Sequence, residues 1–155
     1  MTARIGLLTA ATIAAVLPMT AFAEDMNISS PDTLKWTAAP PVLPKGAQIA
    51  VLYGDPGKAG PFVFRLKFPA GYKVAAHMHP NNYNVTVLSG TFYLGMGDRL
   101  DPARGQALKA GSYARVPKGM HHYEWTTEDT VLELSGIGPV GMTYLNPADD
   151  PRKGQ

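Results

Sequence analysis

A chain of 155 residues with 45% hydrophobic and 17% charged side chains can bury one sizeable core and is too short for two ordinary domains. Its 14 basic and 12 acidic side chains are scattered, with no stripe of basic and aromatic residues, which argues against nucleic acid as a partner. The absence of cysteine excludes a disulfide framework, a thiolate metal site, a cysteine nucleophile and a lipid-attachment site together.

In chain order, residues 1–23 stand apart. Arg4 supplies a small positive start, Ile5 to Leu17 an apolar run, and Ala21 and Ala23 a small-x-small cleavage site. The run meets Pro18 before it reaches the roughly 18 apolar residues that a membrane span requires. A signal peptide cut before Glu24 is therefore expected, leaving a periplasmic or secreted protein with no stable membrane insertion. Removal of Arg4 leaves 13 basic against 12 acidic side chains, and so near-neutral a chain points to a small-molecule partner.

Residues 24–45 hold four prolines and little periodicity, which predicts an extended arm lying over the domain. Residues 46–147 then form a succession of short runs of period two: AQIAVLYG, FVFRLKF, YKVAAHMH, YNVTVLSG, TFYLGMG, SYARVP, HHYEWTT and TVLELSG. Phe62, Phe64, Leu66 and Phe68 alternate with Val63, Arg65 and Lys67, a strand with one core face. Glycine and proline punctuate nearly every junction. The one window that could be helical, DPARGQALKAG, contains Gly105, which argues against it. An all-β antiparallel sandwich or barrel is predicted, with residues 148–155 as a C-terminal tail.

All four histidines fall in two places, HMH at 77–79 and HH at 121–122. In a strand, positions i and i+2 share a face, so His77 and His79 point the same way and can grip one metal ion. Alone, such a pair equally suits a solvent face or core hydrogen bonds. The second segment, GSYARVPKGMHHYEWT, offers further imidazole from another hairpin, and three histidines from two hairpins can converge inside a small barrel.

Two motifs carry a resemblance. Gly71, five residues, His77-Met78-His79, three residues, Tyr83, six residues and Gly90 match the spacing of one; Gly111, five residues, Pro117-Lys118-Gly119, two residues, His122, three residues and Thr126 match the other. The chain resembles a small single-domain cupin, over about Phe62 to Pro139. The resemblance implies a double-stranded β-helix, or jelly-roll barrel, with His77, His79 and His122 as ligands of one divalent transition metal, which could be iron, manganese, nickel, copper or zinc. His121 would be a neighbour of the site. Many cupins pair as homodimers, and the arm before Lys45 could serve such an interface.

The chain departs from the family pattern at two positions: Thr126 stands for the closing asparagine, and Tyr83 for the glutamate that is the usual fourth ligand. By parity Tyr83 shares a face with Val85 and Val87, the inner face of a barrel wall. It is the candidate catalytic residue, with three roles open: phenolate ligand, hydrogen-bond donor to a metal-bound water or substrate, or packing. Glu124, two residues after His122, could replace the missing carboxylate, but a rim or exposed glutamate is the plainer expectation. Asn81, Asn82 and Asn84 are expected to serve turn geometry.

An all-imidazole set leaves the metal its full charge and open positions for a chelating anion and dioxygen. The resemblance thus implies a metal-dependent oxidoreductase, dioxygenase-like, acting on a small anionic molecule. The alternative is a non-catalytic barrel that captures a small ligand or a metal. No G-x-S-x-G and no ordered Ser, His and Asp support a hydrolase.

Overall fold

The computed structural model describes residues 26–153; the expected leader, residues 1–23, lies outside them. Eleven strands run in chain order: β1 (Thr37–Ala38), β2 (Gln48–Tyr53), β3 (Gly60–Phe68), β4 (Lys73–Met78), β5 (Tyr83–Ser89), β6 (Thr91–Met96), β7 (Gln106–Lys109), β8 (Tyr113–Val116), β9 (His122–Thr126), β10 (Thr130–Gly138) and β11 (Thr143–Tyr144). Each run of period two became a strand because alternation lets one side of each segment leave water while the other stays wet.

The strands form two antiparallel sheets, ordered β1-β2-β3-β10-β5-β8 and β11-β4-β9-β6-β7. Consecutive strands often lie in different sheets, as in a jelly roll. Phe62, Phe64, Leu66 and Phe68 of β3, Val85 and Val87 of β5 and Leu132 of β10 face Val74 of β4 and Phe92 of β6 across the interior. A smaller cluster of Ala76, Tyr123 and Trp125 covers the outer face of the second sheet. On the outer face of the first sheet, Arg65 pairs with Glu133 at 2.9 Å, directly across β3 and β10.

The window DPARGQALKAG is not a helix. It makes a 3-10 turn at Pro102–Arg104 and then β7, which closes the edge of the second sheet against β6. Gly105 sits under the ring of Trp125, where a Cβ would lie 2.0 Å from the indole, so only glycine lets the chain pass. Two residues of the proline-rich arm also form a strand, since β1 pairs with β2.

The arm is anchored by phenols from the domain. Tyr72 Oη donates to the Pro44 carbonyl at 2.6 Å, and Tyr144 Oη to the Val42 carbonyl at 2.8 Å. These bonds hold Leu43 down as a buried core residue.

Candidate metal centre and ligand chamber

His77 lies near the end of β4, directly across the ladder from His122, the first residue of β9. A register shift between Val74 and His77 bends β4 there. Val74 and His77 consequently both face the interior although they are three residues apart, while Ala76 packs outward. His79 follows just after the strand. Its carbonyl accepts from Gly119 N–H at 2.9 Å, which joins the two histidine segments. Gly119 has φ 71°, a left-handed conformation that glycine adopts without the penalty a Cβ brings.

His77, His79 and His122 are all buried, and their ligating nitrogens lie within 4.8 Å of one another. In each ring Nδ1 is already engaged by a backbone carbonyl: His77 with Ala75 at 2.8 Å, His79 with Gly141 at 2.6 Å and His122 with Met120 at 3.0 Å. A carbonyl only accepts, so Nδ1 must carry the proton and Nε2 the lone pair. This arrangement fixes ring orientation and makes Nε2 the donor atom on all three, as in ligating histidines whose other nitrogen is hydrogen-bonded.

Burial holds the imidazoles neutral, pushing the His77 pKa down to about 2 and that of His79 to about 4, with the neighbouring histidines adding to the effect. His122 is lowered for the same reason. His77 Nε2 is the one buried side-chain polar atom among the described residues without a hydrogen-bond partner. An orphaned lone pair in a buried trio of neutral imidazoles fits a divalent cation, which satisfies it and needs no proton released from the rings.

Tyr83 opens β5 in the opposite sheet and crosses the interior to the same place. Its hydroxyl lies 3.0 Å from His122 Nε2, and since that nitrogen carries the lone pair, the hydroxyl donates. Burial, with the Glu124 carboxyl behind it, drives its pKa well above the ordinary phenol value. Without a metal the phenol is therefore neutral, and both packing and hydrogen bonding are visible: the ring is in the core and its hydroxyl is on the site.

His121 points away, half-exposed, with Nδ1 2.7 Å from Asp98 Oδ1. Asn81 donates to the Pro139 carbonyl, Asn82 accepts from Lys118 N–H and Asn84 accepts from Tyr113 Oη, so all three amides serve loops and strand edges. Thr126 ties β9 back to the loop before β4, its hydroxyl donating to the Pro69 carbonyl at 2.7 Å.

The expectation for Glu124 is corrected. It is buried, with 8% of its surface exposed, and lines an interior cavity between the sheets. It is not part of the three-histidine group. Burial pushes its pKa up to about 8; burial likewise raises those of Tyr72, Tyr83 and Tyr144, and the Glu124 charge adds to the effect. Sequence reasoning placed it on the inner face but gave polarity priority over parity; an uninterrupted buried strand, His122 to Thr126, was the missing information.

The cavity has a volume of about 230 Å³. His79 and Tyr83 line it on the histidine side, and Val42, Leu43, Phe64, Leu66, Leu132 and Met142 make much of its wall. Among the described residues no lysine or arginine lines it. The arm thus contributes wall residues as well as cover.

The fold and this histidine set together are those of a cupin. More narrowly, a family model described as the ChrR cupin-like domain matches residues 24–141, and the chain belongs to that family. Comparison with curated proteins returns no match. Among solved structures, an acetylacetone dioxygenase from Acinetobacter johnsonii is 15% identical, with a TM-score of 0.62 over 88% of this chain and 87% of that one. The polyketide cyclase RemF from Streptomyces resistomycificus is 19% identical, with a TM-score of 0.63 over 83% and 91%. An RmlC-like cupin from Shewanella frigidimarina is 16% identical, with a TM-score of 0.57 over 74% and 92%. At these identities the likeness is one of fold.

Proposed function

We propose that this chain is an exported, metal-dependent cupin oxidoreductase that joins dioxygen to a small chelating molecule. The reading rests chiefly on the three Nε2 lone pairs, each turned inward by a backbone carbonyl on Nδ1. His77, His79 and His122 would hold the ion. A divalent transition metal there supplies positive charge and open positions to an anionic chelator and to dioxygen.

The protein's own groups then have defined tasks. A metal held by His122 Nε2 would take the lone pair that the Tyr83 hydroxyl now meets, and that hydroxyl would then be free to donate to an oxygen of a bound substrate. The apolar wall excludes water from the reacting groups. With no cation along that wall, a negative charge on the substrate can be balanced only at the histidine end. A compact 1,3-dicarbonyl, which chelates through its two oxygens as an enolate, has this form, and the acetylacetone dioxygenase of like fold acts on one.

The test is oxygen uptake by the tag-free protein with acetylacetone and related diketones, among them diketones that also carry a hydroxyl. The reading predicts uptake that depends on substrate and ceases after chelation. A protein that retains a redox metal but consumes no oxygen with any small chelator is instead a binding module.

A further inference from the structure

Next to the histidines the chamber carries a further polar group, one outside the three-histidine set. Glu124 sits one step along β9 from His122 on the inner face, paired across the ladder with Val74 on one side and Leu94 on the other. Its carboxyl makes no hydrogen bond to any described residue, although more than nine-tenths of the residue is out of water. The carboxyl is not sealed within protein, so a hydrogen-bond donor brought by a ligand can reach its oxygens. It opens onto a cavity whose other walls, apart from His79 and Tyr83, are apolar.

We propose that Glu124 selects the ligand: the chamber takes a compact molecule with an apolar body and a hydroxyl or N–H that donates a hydrogen bond to the Glu124 carboxyl. This deepens the reading of the site as a small-molecule chamber. The size follows from the volume, since a cavity of roughly 150 Å³ accepts benzene, and about 230 Å³ accepts one substituted ring or a branched chain of similar bulk. The class follows from the wall. A second anionic group facing Glu124 would be buried beside a carboxyl with no cation near it, whereas a hydroxyl or N–H meets an acceptor oxygen that the carboxyl keeps in either protonation state. A ligand without a donor leaves that oxygen unpaired, and rejection of such analogues is the stronger form of discrimination.

The experiment uses protein stripped with a chelator, so that a metal contributes nothing, and titrates toluene, phenol and benzoate by calorimetry at pH 7. Water retains phenol better than toluene, so an apolar chamber without a usable acceptor prefers toluene. Wild type is expected to bind phenol more tightly than toluene and to bind benzoate at least tenfold more weakly than phenol. Glu124→Leu should shift the phenol-to-toluene preference by about tenfold towards toluene. Glu124→Gln, which keeps an acceptor oxygen in the same place, should retain the wild-type order. If Glu124→Leu does not fold, the wild-type order and its retention in Glu124→Gln still decide. Tighter binding of toluene than phenol by wild type, benzoate equal to phenol, or no binding of any probe overturns the proposal. Metal content of the unstripped protein is measured separately: absence of metal with this selectivity intact would remove the oxidoreductase reading and leave the ligand assignment standing.

Discussion

Tyr83 is the residue at which the chain differs most consequentially from a four-ligand cupin. Its hydroxyl donates to the same nitrogen that a metal would occupy, 3.0 Å away. A metal on that nitrogen would displace the hydroxyl, which would then be free to donate to a molecule held there. The two changes offset one another, so Tyr83→Phe is expected to alter metal affinity by less than about tenfold. Oxygen uptake, which needs the released donor, should fall by roughly 10- to 100-fold in the same variant. Equilibrium dialysis beside oxygen uptake separates the two; equal losses in both would mean that the phenol ligates. This role was only partly legible in the sequence. Parity with Val85 and Val87 placed the ring inside, because β5 is regular. The partner of the hydroxyl depended on the opposite sheet, which no local pattern encodes.

Glu124 carries a second consequence. Its pKa rises from 4.5 in the ordinary state to about 8 in the fold, so between those values the unfolded chain is ionised while the folded one keeps its proton. The stability this gives is present in full below pH 4.5 and is lost as the pH rises towards 8. The histidines act in the opposite sense: the unfolded chain takes up protons below 6.5, while His79 resists to about 4 and His77 to about 2, so stability falls on acidification through that window. In urea titrations of the metal-free protein, Glu124→Gln should lack the decline from pH 4.5 to 8 and keep the decline on the acid side. A variant that declines with wild type at high pH would place the titrating group elsewhere.

At the scale of elements, β4 and β9 do most to build the site, and neither is wholly regular in the sequence. The i, i+2 rule sends His77 and His79 to one side, yet the bulge between Val74 and His77 is what turns that side inward in step with the core. Alternation cannot show a bulge, since it displaces a face without changing residue types. On β9 all five residues are buried because the second sheet is covered on both faces, by the chamber within and by the tyrosine and tryptophan cluster outside. That cluster also dictates a glycine. Gly95 of β6 lies directly opposite Tyr123, and a Cβ there would come within 2.3 Å of the buried ring. Gly95→Ala should therefore destabilise the fold by about 1–3 kcal/mol, measured by urea unfolding, as expected for overpacking. An unchanged midpoint would show that β6 and β9 can separate freely.

For the molecule as a whole, strand content and the two-motif histidine arrangement were readable because hydrophobic alternation and glycine-marked turns are local signals. The arm was readable as extended but not as a wall. Its contribution depends on Val42 and Leu43 in an otherwise proline-rich stretch, and on two phenols about 28 and 102 residues further along the chain that grip the Pro44 and Val42 carbonyls. Tyr144→Phe leaves the Val42 carbonyl without that donor and should lower stability by about 1 kcal/mol. It should also speed the entry and release of phenol from the chamber without altering metal content, which stopped-flow mixing can resolve. Unaltered rates would indicate that ligands enter by another route.

Among the described residues the three buried imidazoles are the one His, Asp or Glu group close enough together to hold a metal ion, and we propose that they hold one divalent transition metal. The direct measurement is metal per chain by mass spectrometry on tag-free wild type and on His77→Ala, His79→Ala, His122→Ala and His121→Ala, with circular dichroism confirming that each is folded. We expect close to one ion per chain in wild type and in His121→Ala, whose ring faces Asp98 at the surface, and a severe loss in the other three. A metal-free wild type, or one whose content survives removal of His77, His79 or His122, would contradict the account.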